Sequence, residues 1–548
     1  MKRSIISTVL ALTIINLSAQ NTNYDYGLKF DCDRAIPYFG LDASSHTFAV
    51  NYQGDYELNG STIESAGGSD ALLVGNNSDS HSFAALIASS GDDYLLGLAT
   101  YTDDQSAGYL LIGFEDTLVL DIFDELAYLS SPIDGGSKAI VHADDGAVAW
   151  IGMLHYDEAT IHHSTVLNDG YVMSGHFTDS LVYEAPDGTQ TVVQGHESNI
   201  TTYVLHVGFD GQLEWVHTED QYPFVIPRHL LVHDQSVYFS YHNVPNATTV
   251  VINGQGAEET RYELSDAAIH TIAFDEEGSM YMCGNYDTDD GLTDFDLRPD
   301  EEYYAPAEDM SLDAFLVKYT PDMEVAWLQR ITGDKIDTGT SFDIGRNGIY
   351  WTGCIQSDGI FDPDGEAPQT YFSSGLEDAF VAHYGFDGSF RWVDMLIGPS
   401  SDIGMEIESY PTAHPEIDDV VVFGVFLNSI DLDPSAETEA IFTDDYDLSE
   451  FSYFLVNLKT AESTVSTDAP LPSSFTLYPN PASDWLEVVG PEYGVDCAYT
   501  ITNSMGQQVA SGSTRVGVPI DVSFCSAGIY FVALEQDGTY AQIKVVKM

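Results

Sequence analysis

The stretch Asp378-Ala379-Phe380-Val381-Ala382-His383-Tyr384, followed by Asp387-Gly388 and then Trp392, decides the fold. Three other stretches repeat its order. Asp313-Ala314-Phe315-Leu316-Val317-Lys318-Tyr319 leads to Pro321-Asp322 and Trp327. Tyr203-Val204-Leu205-His206-Val207 leads to Asp210-Gly211 and Trp215, and Ala139-Ile140-Val141-His142 to Asp145-Gly146 and Trp150. Each reads as strand, tight turn, strand. The Trp falls at one fixed place on the second strand, which suits packing between neighbouring sheets.

A second element recurs between the tryptophans, a hydrophobic strand usually with Tyr near its start and Gly inside. Its copies are Tyr94-Leu95-Leu96-Gly97, Tyr171-Val172-Met173-Ser174-Gly175, Tyr238-Phe239-Ser240, Tyr281-Met282-Cys283-Gly284, Tyr350-Trp351-Thr352-Gly353 and Val420-Val421-Val422-Phe423-Gly424, with a weaker one at Thr47-Phe48-Ala49-Val50. Helix signals are almost absent, and short strand-like runs alternate with turn residues, so the class is all-β. About seven units fall in the range of propeller blade numbers. No unit buries both faces alone, and stacking around an axis buries a continuous core. The expectation is one β-propeller over residues 25–460. The alternative is a string of β-sandwich domains, for which the span offers no linkers.

The order Asp-Ala-Phe-Val, Tyr, Asp-Gly, Trp, then the Tyr-x-x-Gly strand, resembles a bacterial seven-bladed propeller repeat family found in exported proteins. The acidic turns Asp294-Phe295-Asp296, Phe361-Asp362-Pro363-Asp364 and Asp431-Leu432-Asp433-Pro434 resemble it too. The match runs from about Lys138 to Leu458. The resemblance implies a fold and an extracellular setting but no single activity.

Residues 461–474, rich in Ser, Thr, Pro and Ala, read as an extended linker. Beyond it come Leu477-Tyr478-Pro479-Asn480-Pro481, Asp484-Trp485-Leu486-Glu487-Val488, Tyr499-Thr500-Ile501-Thr502-Asn503, Met505-Gly506-Gln507, Ala527-Gly528-Ile529-Tyr530-Phe531-Val532 and a terminal Lys544-Val545-Val546-Lys547-Met548. Their alternation is that of a small Ig-like β-sandwich. Residues 475–548 resemble the type A sorting domain of the type IX secretion system. That resemblance implies export across a Gram-negative outer membrane, removal of the domain, and release or attachment to surface glycolipid. The translocon and its sorting peptidase are then transient partners.

The other end agrees. Met1-Lys2-Arg3, an apolar run from Ile5 to Leu17 and Ser18-Ala19-Gln20 read as a secretory signal peptide over residues 1–20. The run is shorter than the ~20 apolar residues that a spanning helix needs. No later segment is long and apolar enough to cross a bilayer.

The chain carries 87 acidic and 17 basic residues, a formal net charge of −70. Such a surface repels nucleic acid and anionic lipid. The acid is spread along the whole chain, as a solvating coat would be, although clustered carboxylates also suit calcium. Among the five cysteines, Cys497 and Cys525 share the C-terminal region and are the expected pair. No Cys-x-x-Cys supports a zinc or redox site.

Catalytic signatures are missing. There is no Gly-x-Ser-x-Gly elbow, no His-Glu-x-x-His helix and no Gly-rich phosphate loop. His162-His163 is the one adjacent histidine pair. Strand alternation would send its rings to opposite faces, one packed and one solvated. Asp287, Asp289, Asp294 and Asp296 are the candidate calcium ligands. Their spacing misses the EF-hand pattern, and the competing reading is an acidic turn whose Asp side chains bond the local backbone.

Three functions follow. The first is an exported binding or adhesion module for an extracellular glycan or protein, presenting insertions such as Asn285 to Asp309 on a rigid scaffold. The second is a structural coat protein. The third is a polysaccharide hydrolase or lyase, with His, Arg or Tyr converging on carboxylates, and with Arg228, Arg261, Arg298, Arg330 or Arg346 clamping an anionic sugar. The missing signatures lean away from an enzyme and favour binding. No cofactor is implied beyond calcium.

Overall fold

The structure is a computed structural model. It describes the strands between residues 22 and 155. From 159 to 460 it describes the chain without 197–199, 220–224, 288–292, 300, 306–310, 366–367, 412–417, 435–439 and 444–451. Beyond these it describes the strands and some turns of 476–547. Residues 1–20, the linker 461–474, Cys32 and Asp289 lie outside the described residues. The chain divides into two compact units, Met1–Glu462 and Ser463–Met548. Every described regular element is a strand, so the all-β reading holds.

The first unit is a succession of antiparallel sheets, which we number 1 to 7. Sheet 3 is typical: Ala159–Leu167, Gly170–Phe177, Thr201–Gly208 and Leu213–Glu219 pair in chain order. Sheet 2 has Asp93–Thr100, Ala107–Phe114, Ser137–Asp144 and Ala147–His155. Sheet 4 runs Ile226–His233, Ser236–Asn243, Asn246–Ile252 and Glu258–Leu264. Sheet 5 runs Ala267–Phe274, Met280–Asp287, Leu312–Tyr319 and Val325–Thr332. Sheet 6 runs Thr338–Gly345, Gly348–Phe361, Gln369–Tyr384 and Phe390–Leu396. Sheet 1 begins with Phe48–Gln53, Ser69–Asn77 and His81–Ala88. Sheet 7 takes Asp402–Pro411, Asp418–Phe426 and Ser452–Thr460 from one end of the unit, and its fourth strand, Thr22–Phe30, from the other.

In the repeats from Tyr171 onward, the Tyr-x-x-Gly element is the second strand of its sheet. The two N-terminal copies are out of phase. Thr47-Phe48-Ala49-Val50 and Tyr94-Leu95-Leu96-Gly97 fall on first strands, and the second strand of sheet 2 instead carries Tyr109-Leu110-Leu111. First strands of consecutive sheets lie against one another from sheet 1 to sheet 7. The apolar cores lie between the sheets. Tyr171, Met173 and Leu205 meet Ile140 and Leu154 between sheets 2 and 3, while Val420 and Val422 meet Val381 and Leu396 between sheets 6 and 7.

The tryptophans fasten these interfaces. Trp150 Nε1 donates to Phe209 O at 2.7 Å, Trp215 Nε1 to Gly254 O at 3.0 Å, and Trp327 Nε1 to Phe386 O at 3.1 Å. Each acceptor lies in a turn of the next sheet. The turn glycines Gly211, Gly256 and Gly388 have φ of 78°, 81° and 80°. Besides needing that conformation they face the indole, since a Cβ at Gly388 would enter the Trp327 ring. Met323, at φ 61°, takes the corresponding place after Pro321-Asp322. Trp327→Leu loses a hydrogen bond worth ~1 kcal/mol and part of a large packed side chain. We expect an overall loss on the order of 2–3 kcal/mol in denaturant unfolding.

Chain between the second and third strands of a sheet reaches back to the sheet before it. Thr117–Ile122 joins sheet 1 through Leu86↔Asp121, and Ser180–Glu184 joins sheet 2 through Leu154↔Tyr183. Ile331↔Phe361 and Ile397↔Asp431 do the same for sheets 5 and 6. The acidic turns belong to this device. Asp294 Oδ1 accepts the N–H groups of Asp296 and Tyr303 at 3.0 and 2.8 Å. Asp431 Oδ1 likewise accepts those of Asp433 and Ala440 at 3.0 and 2.7 Å. The apolar residue inside each turn, Phe295, Phe361 or Leu432, is fully buried. The described part of the insertion after Asp287 is therefore not a free recognition loop, because Phe295 packs edge-on against Tyr286 and Phe315.

The second unit has a three-stranded sheet (Thr476–Tyr478, Trp485–Val489, Pro519–Asp521) and a four-stranded sheet (Gln508–Arg515, Asp496–Asn503, Gly528–Gln536, Thr539–Lys547). Leu486, Val488, Ile501, Ile520, Val522 and Val532 form its core. Cys525 packs at the edge of that core as a free thiol, which overturns the expected pairing with Cys497.

Candidate functional site

The first strands of sheets 2 to 7 share an irregularity. Pairing with the second strand skips one residue between Leu95/Gly97, Ile161/His163, Pro227/His229, Ile269/Thr271, Gly339/Ser341 and Gly404/Glu406. The extra residues are Leu96, His162, Arg228, His270, Thr340 and Met405. A bulge of this kind re-aims side chains and is enriched beside functional sites. The glycine of the Tyr-x-x-Gly strand is its counterpart. Gly175, Gly284, Gly353 and Gly424 stand opposite the bulge, where a Cβ would run into the carbonyl oxygens of Thr160, Ala268, Thr338 and Ile403.

Around the bulges of sheets 5 to 7 the polar groups join the sheets. Thr271 Oγ1 donates to Thr340 O at 3.1 Å, Thr340 Oγ1 to Gly404 O at 2.6 Å and Ser341 Oγ to Glu406 Oε2 at 3.0 Å.

Around those of sheets 3 to 5 the residues are basic. His162 Nε2 lies 3.0 Å from His176 Nδ1, and Thr160 Oγ1 lies 2.8 Å from His162 Nε2 and 3.1 Å from His176 Nδ1. The His163 and His229 rings face each other across sheets 3 and 4 with centroids 6.3 Å apart. The Arg228 charge reaches His162, His163, His242 and His270 and disfavours their protonation. Burial is the leading cause in every case, with Arg228 and the neighbouring imidazoles adding to it. His162, His229 and His270 are pushed down to about 4 and His163 to about 3. His176 and His242 are lowered as well, chiefly by burial. All these residues keep some accessible surface.

Bulging also corrects the reading of His162-His163. Strict alternation does not hold here, and both rings join one cluster. The sequence left a signal, since a glycine inside a strand marks a bulge or a close backbone approach.

At neutral pH the cluster therefore holds one positive charge and several neutral imidazoles. Each neutral ring offers one donor and one acceptor, which is recognition chemistry. A histidine with a lowered folded pKa binds fewer protons folded than unfolded between that pKa and its usual value. Stability then rises with pH across the window and is lost as pH falls from about 6.5 toward 4. We expect replacing His162, His229 and His270 together by Gln to flatten this acid limb in melting curves recorded from pH 7 to 4.

The candidate calcium ligands fall elsewhere. Asp287 ends the second strand of sheet 5. Asp294 builds its turn, and Asp296 holds Arg298, with Nη2 to Oδ2 at 2.7 Å. Among the described residues, one group has metal-ligand spacing: His217, Glu219 and Glu258. A guanidinium occupies it, with Arg261 Nη2 2.8 Å from Glu219 and 3.0 Å from Glu258. Arg330 pairs with Asp364 at 2.8 Å, and Arg346 lies in the turn between the first two strands of sheet 6.

Residues 476–548 match the family described as the Secretion system C-terminal sorting domain. The protein is accordingly exported through the type IX system to the cell surface or beyond it, and the secretion machinery is a transient partner. No helix among the described residues is long and apolar enough to cross a membrane. No curated protein matches the chain. Among solved structures, it is similar to a subtype N10 neuraminidase-like protein of A/little yellow-shouldered bat/Guatemala/060/2010, at 8% identity over 67% of this chain and 99% of that one, with a TM-score of 0.27. It is also similar to the extracellular domain of a protein described as a hybrid two-component system of B. thetaiotaomicron, at 11% identity over 100% of this chain and 88% of that one, with a TM-score of 0.20. At these TM-scores neither likeness bears on fold or ligand.

Proposed function

We propose that residues 22–460 are a seven-bladed β-propeller and that the exported protein is a binding module. Supporting the propeller are the run of seven antiparallel sheets, six of them with four strands of their own, their first strands in contact from one sheet to the next, and the strand Thr22–Phe30 completing the last sheet. The C-terminal unit reads as an Ig-like sandwich that is removed on export.

The observation that carries the binding reading is the Arg228 and histidine cluster, built on the first strands of sheets 3 to 5 and on His176 and His242 of the second strands of sheets 3 and 4. It offers donors, acceptors and one charge at the place where a propeller has its axis. The test uses the full-length protein incubated for a day with a panel of soluble polysaccharides and then immobilised for a retention assay. Retention of one polymer without new reducing or unsaturated ends is the expected result. New chain ends on one substrate would replace this reading by catalysis. Neither retention nor cleavage would leave a coat protein.

A further inference from the structure

Arg228 stands apart from the cations around it. Arg261, Arg298, Arg330 and Lys318 each hold a carboxylate within 3.2 Å. Among the described residues no carboxylate lies within 4.0 Å of Arg228, and its buried Nε has no hydrogen-bond partner. Burial even lowers its proton affinity. In a chain with 87 acidic residues, a half-buried guanidinium without an acid is an unmet demand for negative charge, because desolvating a charge is unfavourable unless it is paired. The groups nearest in electrostatic terms are neutral imidazoles, each able to turn an N–H toward a negatively charged oxygen.

We propose that Arg228, with His162, His163, His242 and His270, receives a single oxyanion: a carboxylate, sulfate or phosphate group borne by a small molecule or a chain end. The proposal rests on the binding reading above and names its ligand class. A planar guanidinium fork donates two parallel N–H bonds to such a group. Bulging on three neighbouring strands gives each strand one extra residue for that purpose. A long polyanion fits poorly, because a surface of net charge −70 repels it along its length, whereas one charged group meets that field only locally, screened over ~8 Å at physiological salt.

The test is calorimetric titration and thermal melting of the full-length protein with sodium sulfate, phosphate and glucuronate in turn, at constant ionic strength. The variants are Arg228→Gln and Arg228→Lys. One of the three anions should bind and raise the melting temperature. Arg228→Gln should weaken that binding at least tenfold, and Arg228→Lys should fall between. Without anion, Arg228→Gln should melt no lower than the parent, because it removes an unpaired buried charge. That readout separates loss of the site from loss of the fold. The anion that binds identifies the group. No binding of any anion by the parent, or equal binding by Arg228→Gln, overturns the proposal. So does a preference for zinc that Arg228→Gln leaves unchanged. If the parent and Arg228→Gln retain the same polymer equally, the anion site fails while the binding module stands. If neither retains a polymer and no anion binds, both fail.

Discussion

Gly353→Ala is expected to leave little folded protein. A methyl group there meets the Thr338 carbonyl oxygen, and the carbonyl carbon of Thr338 and Cα of Gly339 lie 2.9 and 3.0 Å away. These are backbone atoms, so no rotamer change relieves the overlap. Relief requires either unpairing of the first two strands of sheet 6 or removal of the bulge at Thr340. Losing the bulge would withdraw the Thr340 hydroxyl from Gly404 O, 2.6 Å away in the next sheet. Overpacking alone costs ~1–3 kcal/mol. Because backbone cannot yield and an inter-sheet bond goes with it, we expect the upper end of that range or beyond, read as denaturation midpoint and soluble yield. Gly254→Ala is the matched control. Its nearest neighbour is Gln235 O at 3.5 Å, its φ is ordinary, and its carbonyl still accepts from Trp215. It should be nearly silent.

Asp402→Asn is expected to stabilise the protein at alkaline pH. Asp402 and Asp378 are both fully buried, one on each side of the interface between sheets 6 and 7. Asp378 accepts the N–H groups of Ser374 and Gly398, whereas neither Asp402 oxygen has a donor, and the nearby Leu427 N–H is given to Ser401 O. Burial first, then the charge of Asp378, pushes the Asp402 carboxyl up to about 9. An acid raised in this way holds a proton in the folded state that it would lose when unfolded. Its contribution is intact below about pH 4 and declines as pH rises toward 9, by about 1.4 kcal/mol per pH unit while the group lies between its two pKa values. Asparagine keeps the shape of the protonated acid and cannot ionise. The variant should match the parent near pH 4 and melt progressively higher than it by pH 8. A parallel pair of curves would refute the assignment. Asp337, also buried and pushed up to about 9, occupies the corresponding place between sheets 5 and 6, and Asp337→Asn should behave alike.

The parts of the fold legible in the sequence are those fixed by one residue type per repeat. Trp150, Trp215 and Trp327 could be placed because an indole packs on a turn of the next sheet at each of these three interfaces. Gly175, Gly284, Gly353 and Gly424 could be placed too, although the reason for them, a bulge on the facing strand, could not. The first strands of sheets 3 to 7 were not legible as a recurring element. Ile161-His162-His163, Pro227-Arg228-His229 and Ile269-His270-Thr271 occupy one structural position yet share little, since the extra residue of a bulge is not held to a packed core. For the same reason the site was half visible. His162-His163 stood out, but the rule of alternation hid that both rings join Arg228. The carboxylates from Asp287 to Asp296 were open to two readings, calcium or Asx turn, and Asp294 Oδ1 accepts two backbone N–H groups as an Asx turn does.

One further consequence lies in the sheet that combines Thr22–Phe30 with Ser452–Thr460. Its two halves are made almost a whole chain apart, and contacts of such sequence separation form late. Until Thr460 has arrived, Thr22–Phe30 has no partner, and afterwards Ser452–Thr460 presents a bare edge, a template for pairing with other chains, until the two meet. Pairing of the two strands thus competes with aggregation during assembly. The clasp also begins at Thr22, next to the expected signal cleavage region. A chain trimmed past Phe30 by an aminopeptidase would lose it and reopen the sheet.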